Sequence, residues 1–314
     1  MKLSRGTMIL SLDLELCWGR FDKRPVPLLE ADSSEERNQI KRLLFLMDRY
    51  EIPATWAIVG HLMLDECARN DGKAHADIFP HAEYSWFRKD WYVYDPCTSA
   101  ARSPGWYAPD IVEWIRKAQV RHEIASHSFA HIDYGDPECS ASTARADLTA
   151  AVEAAGLKDI TLKSFVFPRN QVGHLDVLRE HGFRAYRGID PRFRNGSELL
   201  VKTLSFLDHL MGLPPKAVHA KEGIPGLWNI PGNHFYMARS GIRKIIPIAT
   251  RKDACIDIVF CMHCRLSTPQ RGGIHNVVVK QRKIMKNLNG HSNRQRFVNV
   301  IGKQFATHQG KQCP

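Results

Sequence analysis

Two groups of polar side chains stand directly after short apolar runs that are typical of buried strands. Asp13 and Glu15 end the segment MILSLDLE, and His127 and His131 lie in HSFAH, which follows EIAS. Alternate residues of a strand point to the same side, so both carboxylates can face one site. Two imidazoles four residues apart on a helical turn can bind one metal ion. Glu15, His127 and His131 would then form a facial triad that leaves coordination positions open for water and substrate.

Three further positions could complete such a site, and each also has an ordinary structural explanation. Arg169 in FPRN could hold Asp13 in place by a forked hydrogen bond and keep it ionised, or it could make a surface ion pair. Trp228 in GLWNIPGNH could form the wall of an acyl pocket or belong to the core. His263 in FCMHC, at the end of an apolar run, could be a general acid or a satisfied core histidine.

These residues need a scaffold that brings strand ends together, and the chain alternates strand-like with helix-like segments. Apolar runs predict strands at 8–12, 54–60, 123–126, 164–167, 183–187 and 256–262. Apolar periodicity and end signals predict helices at 33–50, 142–155 and 175–181, the first with Ser33 and Glu36 as a capping box. This alternation favours an α/β fold with a mostly parallel sheet, either open or closed into a barrel. In barrels the site lies at the carboxyl ends of the strands.

An aromatic-rich insertion at about 70–110 interrupts this alternation. Eight aromatic residues lie between Tyr84 and Tyr107. They could form a second small core under a long loop, or a rim of platforms on which sugar rings stack. In the second case Trp91, Tyr92 and Trp106 are candidate substrate-binding residues, together with Trp228.

The composition is that of a soluble globular protein, with 44% apolar and 25% charged residues among 314. Disorder as the dominant state is therefore excluded. No apolar run reaches the roughly 18–20 residues of a membrane-spanning helix. The apolar stretch before Asp13 is too short for a signal peptide, which predicts a cytoplasmic protein with reduced thiols. Cys261 and Cys264 form a CxxC, but the chain has no second CxxC to complete a zinc site.

The net charge of +11 is concentrated at the end of the chain. Residues 1–264 carry 34 basic and 33 acidic side chains, whereas ten Lys or Arg and no acid follow Cys264. The segment 266–314 could be a solvated polar face. It could also contact the phosphate of a nucleotide, a lipid head group or a nucleic acid.

Taken in order, the polar segments resemble those of the polysaccharide deacetylases, the NodB-homology family or family 4 carbohydrate esterases. The corresponding segments here are Asp13–Leu14–Glu15, the HSFAH motif, Pro168–Arg169–Asn170, Trp228 and His263. ATWAIVG is also similar to the family's second strand. Three features differ from the usual pattern. Leu14 separates the two acids, and Met262 and Cys264 flank the last histidine. The usual D-x-W is absent around Trp228, so His263 lacks the aspartate that normally tunes it in the family.

The resemblance implies a fold, a cofactor and a role for each residue. The fold is a distorted (β/α)7-type, NodB-like barrel that forms a single domain over residues 1–265, with the basic segment 266–314 packing on it. Glu15, His127 and His131 become the ligands of a divalent metal, with zinc as the first choice and cobalt or another divalent ion as alternatives. Asp13 becomes the general base, His263 the general acid, and Arg169 the residue that orients Asp13.

The implied activity is deacetylation of an N-acetylated sugar, by hydrolysis of its acetamide or of an acetyl ester. We expect an acetylated sugar or glycan in polysaccharide or surface-glycan metabolism, carried by a nucleotide or a lipid, with the basic segment giving weak contact to a membrane surface. One alternative is a C–N hydrolase of a small non-peptide amide or cyclic imide, and another is an inactive glycan-binding homologue. Nucleic-acid binding through 266–314 is a third class, which we do not expect.

Overall fold

The computed structural model describes residues 7–189, 218–232 and 258–261, and its central element is an eight-stranded sheet in the order β10-β1-β2-β5-β6-β7-β9-β8. The strands of this sheet are β1 (Thr7–Leu14), β2 (Thr55–Ile58), β5 (Glu123–Ser126), β6 (Ser164–Val166), β7 (Ala185–Gly188), β8 (Lys221–Ile224), β9 (Leu227–Pro231) and β10 (Ile258–Cys261). A separate hairpin is made by β3 (Arg69–Asn70) and β4 (Lys73–Ala74). The α-helices within the described ranges are α1 (Val26–Tyr50), α2 (Pro109–Arg116), α3 (Ala141–Gly156) and α4 (Leu175–Glu180).

Most of the sheet is parallel, and it is strongly curled. From β1 to β9 every neighbouring pair is parallel, while β10 and β8 add antiparallel edges. Residues of β9 and β10 approach within 8 Å although five strands lie between them in the sheet. The predicted α/β class is therefore confirmed as a half-barrel. Among the described residues no strand pair closes it, so the sevenfold repeat of the expected barrel is not established.

The two faces of the sheet differ in the side chains they carry. Leu12, Leu14, Trp56, Ile58 and Phe165 belong to one large core with apolar residues of α1 and α3. The other face carries both small and polar side chains: Asp13 aligns with Ala57 and then Ala125, and Val166 aligns with Arg187. Strand alternation separates these two sets. The inner face of the curl is therefore the place where polar groups can meet.

Helix α1 begins earlier than the sequence predicts. It starts at Val26, after Pro25, so the expected capping box at Ser33 is wrong. Ser33 donates its hydroxyl hydrogen to the carbonyl of Glu30 at 2.7 Å, as an interior helical residue, and Glu36 pairs with Arg20 at 2.6 Å. Proline is favoured in the first turn of a helix, where its missing N–H costs nothing, and this explains the earlier start.

The insertion is a small aromatic core, and the expected rim of sugar platforms is wrong at three positions. Trp91, Tyr92 and Trp106 expose 1%, 2% and 0% of their surface. Trp91 donates its ring N–H to the carbonyl of Ala130 at 2.8 Å, and the Trp106 ring packs edge-on against Trp18. Aromatic surface of this size is stabilising when it is buried, so these rings support the loop and cannot stack on a sugar.

Two further points concern membrane-spanning helices and the predictions made for the end of the chain. None of the helices in the described ranges is both long and apolar enough to cross a membrane. The domain boundary at 265, the basic segment 266–314 and His263 lie outside the described residues.

Candidate active site

The predicted triad comes together at the carboxyl ends of β1 and β5. The Nε2 atom of His127 lies 2.9 Å from Oε1 of Glu15, and Nε2 of His131 lies 3.4 Å from the same oxygen. All three side chains are buried. One ligand atom from each lies within 4.8 Å of the others, so the three could hold one ion.

The HSFAH turn is held by a carboxylate that the sequence analysis missed. Asp147 of α3 accepts hydrogen bonds from the Ser128 hydroxyl at 2.8 Å, from the backbone N–H groups of Phe129 and Ala130, and from the Tyr134 hydroxyl at 2.8 Å. Ser128 and His131 have φ values of 70° and 57°. Such conformations cost energy in non-glycine residues, and the bonds to Asp147 offset that cost.

The imidazole of His127 is oriented for metal binding. Its Nδ1 lies 2.7 Å from the carbonyl oxygen of Val166 and must donate a hydrogen there, because a carbonyl only accepts. In the neutral ring, Nε2 then presents a lone pair to the Glu15 carboxylate, which also only accepts. Two acceptors 2.9 Å apart require a proton or a cation between them. A bound divalent ion satisfies this requirement, and a carbonyl partner on Nδ1 is common for zinc-bound histidines.

Glu15 is held as a carboxylate in a tight space. Burial opposes its ionisation, but His131 and His127 outweigh burial and lower the pKa of Glu15 to about 2. Gly19 leaves the space that this side chain occupies, since a Cβ there would stand 2.1 Å from Glu15 Oε2. Glu15 is therefore an ionised carboxylate, the form in which it can bind a cation.

Asp13 lies on the inner face beside the triad, and its partner is not the one expected. Arg187 of β7 forms a forked pair with Asp13, from Nη1 to Oδ1 at 2.8 Å and from Nη2 to Oδ2 at 2.7 Å. The expectation that Arg169 orients Asp13 is wrong. Arg187 ends the predicted strand 183–187, so the search for polar residues at strand ends could have found it.

Arg169 instead belongs to a charged rim with an exposed aromatic ring. It pairs with Asp22 at 2.6 Å, and its guanidinium lies 4.6 Å from the centre of the Trp86 ring. Trp86 is 44% exposed and is stacked on Tyr84. Arg169 is thus held away from Asp13 by a carboxylate and an aromatic face.

Two ionisable groups of this rim have shifted pKa values. Burial raises the pKa of Asp133 to about 6, against the attraction of Arg169. Burial and the neighbouring Arg169 lower the pKa of Lys23, although Asp22, Asp133 and Glu15 act in the opposite direction. Lys23 interacts electrostatically with Glu15, so the charges of the rim act on the triad.

The remaining predicted site residues are placed less directly. Trp228 is half-buried in β9 and aligns with Ala185, two residues before Arg187 on the neighbouring strand. It therefore lies on the inner face, one inward-facing residue nearer to the amino-terminal end of the strands than the Asp13–Arg187 pair. His263 lies outside the described residues, so its role as general acid stays a prediction.

Comparisons with known proteins give distant likenesses. No protein-family model matches the chain, and no curated protein matches it. Among solved structures, it is similar to a "putative polysaccharide deacetylase" from Mycobacterium smegmatis, with 14% identity, a TM-score of 0.40 and coverage of 96% of this chain and 84% of that one. It is also similar to Puue allantoinase, with 14% identity, a TM-score of 0.44 and coverage of 96% and 90%. These values are too low to assign a family or an activity.

Proposed function

We propose that the protein is a metal-dependent hydrolase of non-peptide C–N bonds, of the polysaccharide deacetylase type, which removes the acetyl group from an N-acetylated sugar. One observation carries this proposal: Glu15, His127 and His131 converge in a buried site beside an aspartate held by a forked arginine. One carboxylate and two imidazoles leave open positions on an ion, which is the arrangement of catalytic metal sites.

The metal would be a divalent ion held by Glu15, His127 and His131, with zinc as the first choice and cobalt as an alternative. When bound, such an ion lowers the pKa of a water molecule and polarises a carbonyl oxygen. The residues fit this ion because His127 presents Nε2 to an ionised carboxylate, as the hydrogen bond from its Nδ1 to Val166 requires.

Asp13 acts as the general base in this proposal. Its two oxygens are fixed by Arg187, and the pair is almost fully buried, so the carboxylate is held in one orientation away from bulk water. Arg187 is the positioning residue, since it binds the base rather than the substrate. His263 would protonate the departing sugar amine, as the resemblance implies, and Trp228 would contact the acyl group from the inner face.

The substrate would be an acetylated sugar or glycan of polysaccharide or surface-glycan metabolism, linked to a nucleotide or a lipid and met in the cytoplasm. We propose that Trp86 contacts the sugar with its exposed ring edge, since Tyr84 and Arg169 lie over its ring faces. The basic segment 266–314 suits the phosphate of such a carrier.

The test is acetate release from a panel of nucleotide-linked, lipid-linked and free N-acetyl and O-acetyl sugars, with the full-length protein loaded with zinc or cobalt. We expect acetate from at least one member, and a loss of about 10²–10⁴-fold in kcat with Asp13→Asn, which keeps the shape of the side chain but removes the base. Asp176→Asn, which alters an exposed carboxylate of α4, is the matched control and should retain most of the activity. If no sugar releases acetate, the deacetylase proposal fails.

The second candidate is a hydrolase of a small amide or cyclic imide. The burial of Trp91, Tyr92 and Trp106 favours it, because three of the expected sugar platforms cannot reach a substrate. The same protein preparation should be tested with cyclic imides, ureides and small amides. Turnover of these compounds without acetate release from any sugar would select this candidate, and metal binding without turnover would select an inactive glycan-binding homologue.

A further inference from the structure

We propose that His61, Cys67, His75 and Asp95 bind a second divalent ion, for which zinc is best suited, and that this ion fastens the insertion to the sheet. One ligand atom from each residue lies within 4.8 Å of the others. Two imidazoles, a thiolate and a carboxylate are a donor set that zinc accepts in tetrahedral geometry. We call these four residues the second metal group.

The distances within the second metal group are close to those around a tetrahedral ion. Oδ2 of Asp95 lies 2.8 Å from Nε2 of both His61 and His75, and the two Nε2 atoms lie 3.0 Å apart. Sγ of Cys67 lies 3.6 Å from Asp95 Oδ2 and 3.9 Å from His61 Nε2. Ligand atoms around zinc are about 3.3–3.7 Å apart, given the bond lengths to nitrogen and sulfur, so small side-chain movements suffice to admit the ion.

Hydrogen bonds around the second metal group turn its lone pairs inward. Nδ1 of His61 donates to the Trp106 carbonyl at 3.1 Å, which leaves Nε2 of the neutral ring as an acceptor facing the Asp95 carboxylate. Oδ1 of Asp95 accepts from the Cys97 N–H at 2.9 Å and the Tyr107 hydroxyl at 3.0 Å, so Oδ2 is the oxygen left for the group. Such outer partners fix the tautomer and orientation of metal ligands.

The surroundings of the second metal group are apolar and aromatic. The rings of Trp18 and Phe129 lie against His61 at 4.5 and 5.5 Å between centroids, and Tyr92 lies 4.8 Å from His75. All coordination positions of a tetrahedral ion would be filled by protein. A closed site of this kind is structural, whereas a catalytic site keeps a position for water.

The four ligands come from segments that the fold must hold together. His61 lies in the turn Gly60–Met63, three residues after the end of β2, while the other three ligands lie between that turn and α2. The backbone N–H groups of Gly60 and His61 donate to the carbonyls of Ser128 and Phe129 at 2.8 and 2.9 Å. An ion here would therefore tie the insertion to the turn that carries His127 and His131.

An ion could reach the second metal group from one side. Cys67 is the least buried ligand, and it lines an open cleft of about 550 Å³. The other residues of this cleft are Glu66, Ala68, Thr98, Ser99 and Arg102. Cys67 thus belongs both to the group and to this cleft, from which an ion or a chelator could enter.

Two other arrangements of the same residues are outcomes of the test. The group could be a hydrogen-bonded network without metal. In that case Cys67 and His75 donate hydrogens to the acceptors Asp95 Oδ2 and His61 Nε2. Alternatively, Cys67 could form a disulfide with Cys97, whose thiol interacts with it.

The experiment uses cobalt in the full-length protein. The apoprotein is reconstituted with Co²⁺ under reducing conditions, metal per chain is measured by mass spectrometry, and the near-ultraviolet absorption is recorded. We expect two ions per chain and a sulfur-to-cobalt charge-transfer band, since Cys67 is the single sulfur ligand among the residues of both proposed sites. Cys67→Ser and Asp95→Asn should each lose one ion and the band.

Matched variants separate this site from its rivals. Cys97→Ser, which alters the neighbouring thiol, should keep both ions and the band, and so should the double variant Cys261→Ser/Cys264→Ser, which removes the CxxC. Glu15→Gln should lose one ion but keep the band, so the test of the second site still gives a result if the proposed active site binds no metal. Circular dichroism of each variant checks that it is folded.

Three results would overturn the proposal. One is a folded wild-type protein that shows no sulfur-to-cobalt band. Another is a Cys67→Ser variant that keeps both ions and the band. The third is a Cys67–Cys97 disulfide, found by peptide mapping of protein prepared without reductant, that persists when zinc is present.

Discussion

Two buried groups of candidate metal ligands adjoin the turn at 127–131, and they differ in their neighbours. Glu15, His127 and His131 stand beside the Asp13–Arg187 pair and a charged rim. The second metal group has four ligand atoms and is enclosed by aromatic rings. Three ligands next to a base suit an ion that reacts, whereas four ligands in an apolar shell suit an ion that holds the chain in place.

The two groups also differ in whether water should reach the bound ion. The first needs an open coordination position and a fixed carboxylate, so polar side chains on the inner face of the sheet serve it. The second gains from the exclusion of water, because fewer competing ligands reach the ion, and the insertion supplies that exclusion. A matched substitution in each group should therefore affect a different property.

The largest expected effect is on catalysis, through Glu15→Gln. This change keeps the size of the side chain but removes the charge that attracts the ion. We expect kcat to fall by about 10³-fold or more, on the scale of losing the main electrostatic stabilisation of a transition state. Steady-state kinetics on the substrate found in the panel would measure it. Activity within tenfold of wild type would show that Glu15 is not a ligand of a catalytic ion.

The equivalent change in the second metal group, Asp95→Asn, should mainly lower stability. Losing the one carboxylate of a buried ion site should cost about 3 kcal/mol in the free energy of unfolding, measured with urea at a fixed zinc concentration. Hydrogen exchange should show lost protection at 64–108, while kcat changes less than that of Glu15→Gln. If both variants lose stability equally and Asp95→Asn loses as much activity, the two groups do not differ as described.

The arginine that fixes Asp13 gives a sharper test of the active site. Arg187→Lys keeps the positive charge but loses the forked geometry, so we expect kcat to fall by about 10–100-fold with little change in KM. Arg169→Lys is the matched control, because Arg169 pairs with Asp22 on the rim. A larger fall in kcat for Arg169→Lys than for Arg187→Lys would restore Arg169 as the partner of the base.

The smallest expected effect concerns Asp133, which borders the first group. Its pKa of about 6 exceeds the ordinary value of 3.8, so the folded state holds this proton more tightly than the unfolded state. The stability gained from protonation is complete below about pH 4 and is lost as the pH rises through about 6. Asn cannot ionise and still accepts the hydrogen bond from the Gly135 N–H.

Asp133→Asn should therefore be more stable than wild type at pH 8 by about 1–2 kcal/mol, since the variant also loses the attraction to Arg169. This advantage should shrink towards pH 4. Urea unfolding of both proteins at the two pH values measures it. An advantage that grows as the pH falls would contradict the assigned direction of the shift.

The sequence predicts the parts of the molecule that depend on strand ends. Glu15, His127 and His131 meet because polar residues after parallel strands share one edge of a sheet. Arg187 ends a predicted strand, but the sequence does not identify it as the partner of Asp13. The resemblance to the family assigns that role to Arg169. The path of the irregular insertion decides which of its residues are buried, and no periodicity records that path. For the same reason the tryptophans could not be assigned to core or rim, and the second metal group could not be found from its spacing.

The backbone bonds from Gly60 and His61 to Ser128 and Phe129 join the two groups mechanically. A Cβ on Gly60 would come within 3.2 Å of the Phe129 Cα atom, so glycine permits this close contact. An ion bound in either group would restrain this shared turn further, so the other ion would bind with a smaller loss of conformational entropy. Occupancy of the two groups should be positively cooperative, with the same coupling free energy in both directions.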